Sequence, residues 1–376
     1  MASPPTDVAE TAAVVFDPAA TAYHTFRIPA LLAIPGNDEA ILLAFCEGRI
    51  ESSGDSGPIE LVLRRSLDSG RSWEPLQVVC RAAEKTCGNP VPILDPASGD
   101  VVLLTTRNGA RVDEAAISTG DVPDQDSRRV FVQRSPDQGR TWTEPREITG
   151  DVRREDWGWY ATGPCHGIAL QYGEHAGRLV VPANHTVIPP SDADRTELAP
   201  YSGGHCIISD DGGHHWQIGF VADYPGEALN PNETTVAELA DGRLIFNARN
   251  HRGTAGARLQ AGSGDGGESL AVPYSPCDGV TAPGIQGSIL SPDGRTLLLS
   301  TPASPDSRQE LMIFVDDGND HWRRGAVITA GPAGYSDLAA LGAGMVGLLY
   351  ETGTRSASER ICFTTRTTTQ LMVSAE

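Results

Sequence analysis

An all-β fold is predicted by three observations on the sequence. First, an eight-residue motif, S-x-D-x-G-x-[S/T]-W, keeps returning. It reads SLDSGRSW at 66–73, SPDQGRTW at 135–142 and, with His in place of Ser/Thr, SDDGGHHW at 209–216. Two worn copies follow, SGDGGESL at 263–270 and VDDGNDHW at 315–322. Second, short apolar runs alternate with turn signals, and no amphipathic helix of three or more turns appears. Third, 41 Gly and 27 Pro in 376 residues suit a turn-rich β protein. The motif starts lie 69, 74, 54 and 52 residues apart, the period of a supersecondary unit. A mean of about 62 residues per unit gives about six units, and hence a six-bladed β-propeller. A β-helix would need a shorter repeat, and a pair of sandwiches would need a boundary that the chain lacks.

Each copy of the motif makes sense as a hairpin turn. Ser and Asp bond nearby backbone amides, and Gly70, Gly139 and Gly213 supply positive φ where the chain reverses. The tryptophan then packs back over the turn. The motif aspartates are therefore read as structural. Between the copies, β-like runs follow in order: AAVVF, AILLAF, IELVLR, VVLLTT, RVFVQR, RLVVPA, HCIIS, TVAEL, RLIFNAR, GSIL, RTLLLS, LMIFV, MVGLLYE and RICFTT. Asp241-Gly242 and Asp293-Gly294 each sit between two apolar runs, a strong hairpin signal. Residues 1–12, with Pro4 and Pro5 and no periodicity, are expected to be disordered, and 13–376 to form a single β-propeller domain.

Composition narrows the partners. A formal net charge of −20 argues against nucleic acid or an anionic membrane. No apolar run approaches bilayer-spanning length. The N-terminus has neither a basic nor an apolar segment of a secretion signal. The seven cysteines are dispersed, without metal-ligand spacing, and read as mostly buried reduced thiols. A cytoplasmic location is the expectation, and no metal or organic cofactor is implied. His214 and His215 read as turn residues.

Several segments outside the motif carry chemistry-bearing residues at strand ends. HTFRIPALL holds Arg27, and a Ser/Gly-rich loop before IELVLR holds Asp55. NETTVAELADGRLIFNARN places Glu233 and Arg249 at the two ends of one predicted hairpin, which returns both to one side of a blade. Arg308 precedes LMIF, Tyr335 follows Gly334 in a loop, and Glu351 ends MVGLLYE. Each alone reads as readily as a solvated loop charge or a structural ion pair. Together, three arginines from three blades suggest a receptor for a carboxylate or phosphate, which guanidinium groups bind in a planar, bidentate way.

The motif together with FRIPALL, CGNPVPILD, WYATGPCHGI, NETTVAEL…NAR and AGYSDL…LLYE, in that order over nearly the whole chain, resembles an exo-α-sialidase of the retaining neuraminidase superfamily. The resemblance implies that Arg27, Arg249 and Arg308 clamp a sialic acid carboxylate and that Glu351 holds Arg27. It implies Asp55 as acid/base, Tyr335 as nucleophile and Glu233 as the carboxylate that activates it. A neutral tyrosine suits an anomeric carbon that already bears a carboxylate, which would repel an anionic nucleophile. An intermediate pKa for Asp55 in a partly desolvated loop would serve both of its steps. The implied partners are sialic acid-containing glycans.

Alternatives stay open. Deaminated sialic acid (KDN) or Kdo would use the same clamp and the same tyrosine. A non-catalytic carbohydrate-binding propeller would lack the full set of site residues. A transferase is disfavoured by a chain end that leaves no room for an appended lectin domain. The GPC at 163–165, where GPG is common in the family, points to a changed pocket shape. Trp157, Trp159, Tyr160 and Gln286 read as packing residues, and Asn108, Gly109 and Arg111 as candidates for the far side of the sugar.

Overall fold

In the computed structural model, residues 12–373 are described except 37–38, 82, 191–201, 225–227, 252, 254–255, 317 and 319–320. The disorder expected for 1–12 thus lies outside the described residues, save for Ala12. Twenty-four strands appear among those described, and the longest helices have 5 residues. β1 (Ala13–Phe16) stands apart from the strands that follow it in sequence. β2 (Thr25–Ile34), β3 (Ile41–Arg49), β4 (Ile59–Ser66) and β5 (Gln77–Cys80) form one antiparallel meander. A second comprises β6 (Lys85–Leu94), β7 (Val101–Gly109), β8 (Arg129–Ser135) and β9 (Arg146–Glu147). In the third, β10 (Trp157–Thr162) and β11 (Ile168–Ala169) both pair with β12 (Leu179–Val187), followed by β13 (Ser202–Ser209) and β14 (Gln217–Asp223). β15 (Pro231–Glu238), β16 (Leu244–Asn250), β17 (Arg258–Ser263) and β18 (Val272–Pro276) make the fourth.

The last two meanders share a strand. β19 (Ser288–Leu290), β20 (Leu297–Pro302) and β21 (Gln309–Asp316) pair onto the first half of the 20-residue β22 (Arg323–Gly342). The second half of β22 opens the sixth meander, with β23 (Met345–Thr352) and β24 (Arg360–Thr367). β1 adds antiparallel to β24, so the first strand of the chain completes the last blade. The two predicted Asp-Gly hairpins join β15 to β16 and β19 to β20, with Gly242 at φ 84° and Gly294 at φ 71°.

The apolar core lies in the seams between blades. Six buried clusters each combine residues of two neighbouring blades, and the cluster of Phe26, Leu42 and Val62 with Leu349, Ile361 and Phe363 joins the sixth blade to the first. This explains the uninterrupted apolar runs. Along β3, Leu42, Ala44 and Cys46 face the seam with blade six, whereas Leu43 and Phe45 face blade two. Both faces of such a strand are buried, so hydrophobic alternation disappears.

The repeated motif sits between the third and fourth strands of a blade. Ser66 Oγ accepts from Gly70 N at 2.8 Å, and Asp68 Oδ1 accepts from Ser72 N at 2.8 Å. The copies starting at Ser135, Ser209 and Ser263 repeat both bonds. The fourth copy therefore keeps its turn without the tryptophan, and exposed His215 uses its ring Nδ1 where the other copies use a hydroxyl. Tryptophan reaches further than its own turn: Trp73 packs edge-on to Phe363 of blade six, and Trp142 to Phe45 of blade one. Each thus plugs the seam with the preceding blade. Part of the fifth copy lies outside the described residues.

Candidate active site

Near one end of the axis, the inner strands bulge. Register shifts fall between Arg27 and Ala30 in β2, Gly88 and Val91 in β6, Trp157 and Tyr160 in β10, Pro231 and Thr234 in β15, and Ala333 and Ser336 in β22. A bulge re-aims one side chain without ending the strand. Ile28 follows Arg27 at φ 61°, a costly position for a β-branched residue, and its N–H donates to Glu351 Oε1 at 2.9 Å. Gly334 precedes Tyr335 because a Cβ there would lie 2.2 Å from Glu351 Oε2.

These strands enclose a cavity of about 200 Å³ lined by Arg27, Asp55, Glu233, Arg249, Arg308 and Tyr335. Glu47, Arg49, Asn89, Glu114, Arg128, Trp159, Asn184, Asn232 and His251 also line it. Six of the seven residues singled out from the sequence therefore share one cavity. The seventh, Glu351, is 1% exposed and lies behind it, accepting from Arg27 Nε at 2.7 Å and from Tyr335 N at 3.1 Å.

Tyr335 is 5% exposed, and its hydroxyl makes a short hydrogen bond to Glu233 Oε1. The other oxygen of Glu233 accepts from Arg249 Nη1 at 3.0 Å, and the same Nη1 lies 3.4 Å from the Tyr335 hydroxyl. Burial first, and then the Glu233 charge, hold the phenol pKa well above its ordinary value, despite the pull of Arg249 and Arg27. The phenol is thus neutral and poised against a base. The guanidinium carbons of Arg27 and Arg308 lie 5.3 and 5.8 Å from its ring centroid. Burial alone would lower the Arg27 pKa, but Glu351 outweighs it and the net shift is upward. Glu233 does the same for Arg249. Arg308 is exposed, on the loop before β21, and has no carboxylate partner among the described residues.

Asp55 departs from the sequence expectation. Its side chain is 87% exposed on the β3–β4 loop, where water solvates it, rather than partly desolvated. It pairs with Arg49 Nη2 at 2.7 Å, and Arg49, only 2% exposed, is held by Glu47 through Nη2 at 2.8 Å and Nε at 3.1 Å. The Glu47–Arg49 pair was missed from sequence; its signal was an E-x-R on one face of a strand end. Trp159, read as packing, instead lies on the cavity wall with the Arg128 guanidinium carbon 4.2 Å from its ring centroid. Trp157, Tyr160 and Gln286 are buried packing residues. Asn108 is buried behind the wall, accepting from Arg128 Nη1 at 2.6 Å, and neither Gly109 nor Arg111 lines the cavity. Cys165 does not line it either; its fully buried thiol faces Gln286 and Gly287, so it does not shape the wall directly. No group of three or more His, Cys, Asp or Glu residues among those described is arranged to hold a metal ion.

Comparison with known proteins places this cavity in a family. The family model described as a BNR repeat-like domain matches residues 40–348. Human Sialidase-3 is 31% identical over 399 residues, covering 90% of this chain and 88% of that protein. A sialidase of Micromonospora viridifaciens is 32% identical over 349 residues, covering 88% of this chain and 50% of that protein, so the chain spans half the length of that relative. Among solved structures, the Hadza microbial sialidase Hz136 superposes with a TM-score of 0.80 at 24% identity, over 96% of this chain and 69% of that one. The intramolecular trans-sialidase from Ruminococcus gnavus gives 0.79 at 19% identity, over 96% of this chain and 99% of that one. These two likenesses show the propeller fold alone. With a repeat model spanning most of the sequence and a relative 31% identical along nearly the full length of both proteins, the chain belongs to the sialidase family of glycoside hydrolases.

Proposed function

We propose that the chain is an exo-α-sialidase that releases terminal α-linked sialic acids with retention of configuration, through a bond to Tyr335. The observation that carries this reading is the Tyr335–Glu233–Arg249 cluster, a buried neutral phenol hydrogen-bonded to a carboxylate beside the guanidinium groups of Arg27 and Arg308. Arg27, Arg249 and Arg308 receive the substrate carboxylate, and Glu351 fixes Arg27. The Tyr335 oxygen attacks the anomeric carbon as its proton passes to Glu233. The bond to the aglycone breaks, and Asp55 donates a proton to the departing oxygen. In the second half Asp55 takes a proton from water, the water oxygen attacks the anomeric carbon, and the bond to Tyr335 breaks as Glu233 returns the proton.

Because Asp55 is exposed on its loop, the desolvation that makes it a good acid is assigned to the bound glycan covering it. A second reading, intramolecular transfer, shares this first half-reaction and differs in the group that attacks the intermediate. The test is release of 4-methylumbelliferone from α-glycosides of N-acetylneuraminic acid, KDN and Kdo, with Tyr335→Phe as control and products followed by NMR. Turnover of the first, with free α-anomeric sugar appearing before mutarotation, supports the proposal. Turnover of only KDN or Kdo keeps the chemistry and changes the substrate. An anhydro product indicates transfer, and no turnover at all overturns the catalytic reading.

A further inference from the structure

The cavity wall formed by blades two and three holds an arginine with an unusual set of partners. Arg128 is 3% exposed, and its hydrogen-bond partners among the described residues are all uncharged. Its three nitrogens all donate to neutral oxygens: Nε to Tyr160 O at 2.9 Å, Nη1 to Asn108 Oδ1 at 2.6 Å, and Nη2 to Asn89 Oδ1 in a short bond. Burial lowers its pKa to about 10, still well above neutrality, so it remains a cation. An arginine only donates, so the Asn89 atom facing it must be the carbonyl oxygen, and the orientation of that amide is settled.

The rest of Asn89 is equally constrained. Its backbone N–H donates to Glu47 Oε1 at 3.2 Å, and its backbone carbonyl accepts from Thr162 Oγ1 at 2.8 Å. It sits at φ 52° in the bulge of β6, where asparagine tolerates the left-handed region. The next glycine back, Gly88, leaves room for Glu47, whose Oε1 would lie 2.1 Å from a Cβ there. Of all its polar atoms, Nδ2 alone makes no hydrogen bond among the described residues, on a side chain that lines the cavity.

We propose that Arg128 is a positioning residue: by holding the Asn89 carbonyl it aims the Asn89 NH₂ into the cavity as a fixed donor, which reads an oxygen acceptor on the substrate. A freely rotating asparagine would present donor or acceptor equally and would lose rotamer entropy on binding. Held as it is, the amide favours a carbonyl or hydroxyl oxygen at that wall and disfavours a group that can only donate. This inference rests on the sialidase reading of the cavity.

The experiment is a double-mutant cycle of Asn89→Ala and Arg128→Lys, read as KM and kcat on the sialoside and as the Kd of free N-acetylneuraminic acid by calorimetry. Asn89→Ala should raise KM and Kd about 3- to 10-fold with kcat nearly unchanged, the loss of one ground-state hydrogen bond. Arg128→Lys keeps the charge but loses the fork that holds the amide, and should give a similar loss. In the double variant the two losses should not add. An unchanged KM and Kd in Asn89→Ala overturns the proposal, and so do fully additive losses, which would make Arg128 a structural residue only. If Arg128→Lys fails to fold, Asn89→Asp replaces it. That variant gives Arg128 a carboxylate and removes the donor, so affinity must fall for the proposal to stand. Absence of turnover in the wild type would sink the catalytic reading while leaving Kd to decide this one, and absence of binding as well would sink both.

Discussion

Tyr335 and Glu233 meet through a short hydrogen bond although 102 residues separate them in sequence, and each arrives on an inner strand that bulges beside it. The phenol donates, so the carboxylate is already placed to receive its proton. Replacing Tyr335 by Phe removes the attacking oxygen and little volume. We expect turnover to fall on the order of 10³-fold or more, with the sugar still bound, because Arg27, Arg249 and Arg308 are untouched. Glu233→Gln should lose activity as well, since an amide cannot take the proton. Steady-state kinetics with calorimetric binding checks this, and near-wild-type turnover in Tyr335→Phe would refute the nucleophile assignment.

Arg308 differs from the other two arginines in lacking a carboxylate partner among the described residues, whereas Arg27 pairs with Glu351 and Arg249 with Glu233. Its exposed guanidinium is the one most available to an incoming anion. Arg308→Ala should lower kcat/KM about 10- to 100-fold, the worth of a charge-assisted hydrogen bond or two. Stability should move by only about 0.5 kcal/mol, as for most exposed positions. A normal kcat/KM in this variant would remove Arg308 from the carboxylate clamp.

Asp55 makes its ion pair with Arg49 and is otherwise exposed, so Asp55→Asn should fold normally. A general acid matters in proportion to how poor the leaving group is. The variant should lose about 10² to 10⁴ in turnover of a sialyl-lactose, whose sugar alkoxide needs a proton, and far less on an aryl sialoside whose phenolate leaves unaided. Equal losses on both substrates would mean that Asp55 orients the sugar and donates no proton.

Much of this is legible in the amino-acid sequence. The repeated motif located the turns, and its spacing gave the blade number, because a Ser–Asp–Gly turn is a local device whose bonds span at most four residues. Strand-end residues such as Glu233 and Arg249 could be paired because one hairpin joins them. What stayed hidden depends on contacts between residues far apart in sequence, within one blade or between two. Asn89 meets Glu47 across 42 residues and Arg128 across 39, and no periodicity marks such separations. Cys165 shows a further limit. Its φ of 128° explains why glycine suits that place, but the fully buried thiol points into the packed axis, so the substitution does not bear directly on the sugar wall. The expected shielding of Asp55 failed for a related reason, since a loop sequence carries little information about how far it leans over a cavity.

Two buried histidines behind that wall should make the fold acid-sensitive. His185 Nε2 lies 2.8 Å from Asp223 Oδ1, and His185 Nδ1 lies 3.0 Å from His205 Nδ1, with Trp157 stacked 3.7 Å from the His185 ring. The carboxylate requires a proton on His185 Nε2. In the neutral ring Nδ1 is then the acceptor, and His205 donates from its own Nδ1. Burial, the largest cause in both, lowers the two pKa values below 6.5; Asp223 opposes it at His185, and the His185 charge adds to it at His205. A base whose folded pKa is depressed binds its proton more readily when unfolded. Its stabilising contribution is present above pH 6.5 and is lost as pH falls through the folded value. His166 has the opposite sign. Burial pulls its pKa down, but Asp337 outweighs this and raises it, so its contribution is full below 6.5 and is lost as pH rises through the folded value. His205→Phe removes one of the two buried histidines that resist protonation and leaves His166 alone. Its Tm should fall less than that of the wild type between about pH 7 and about pH 5, by about 2 °C or more. Parallel pH profiles for the two proteins would show that the histidine pair does not govern acid stability.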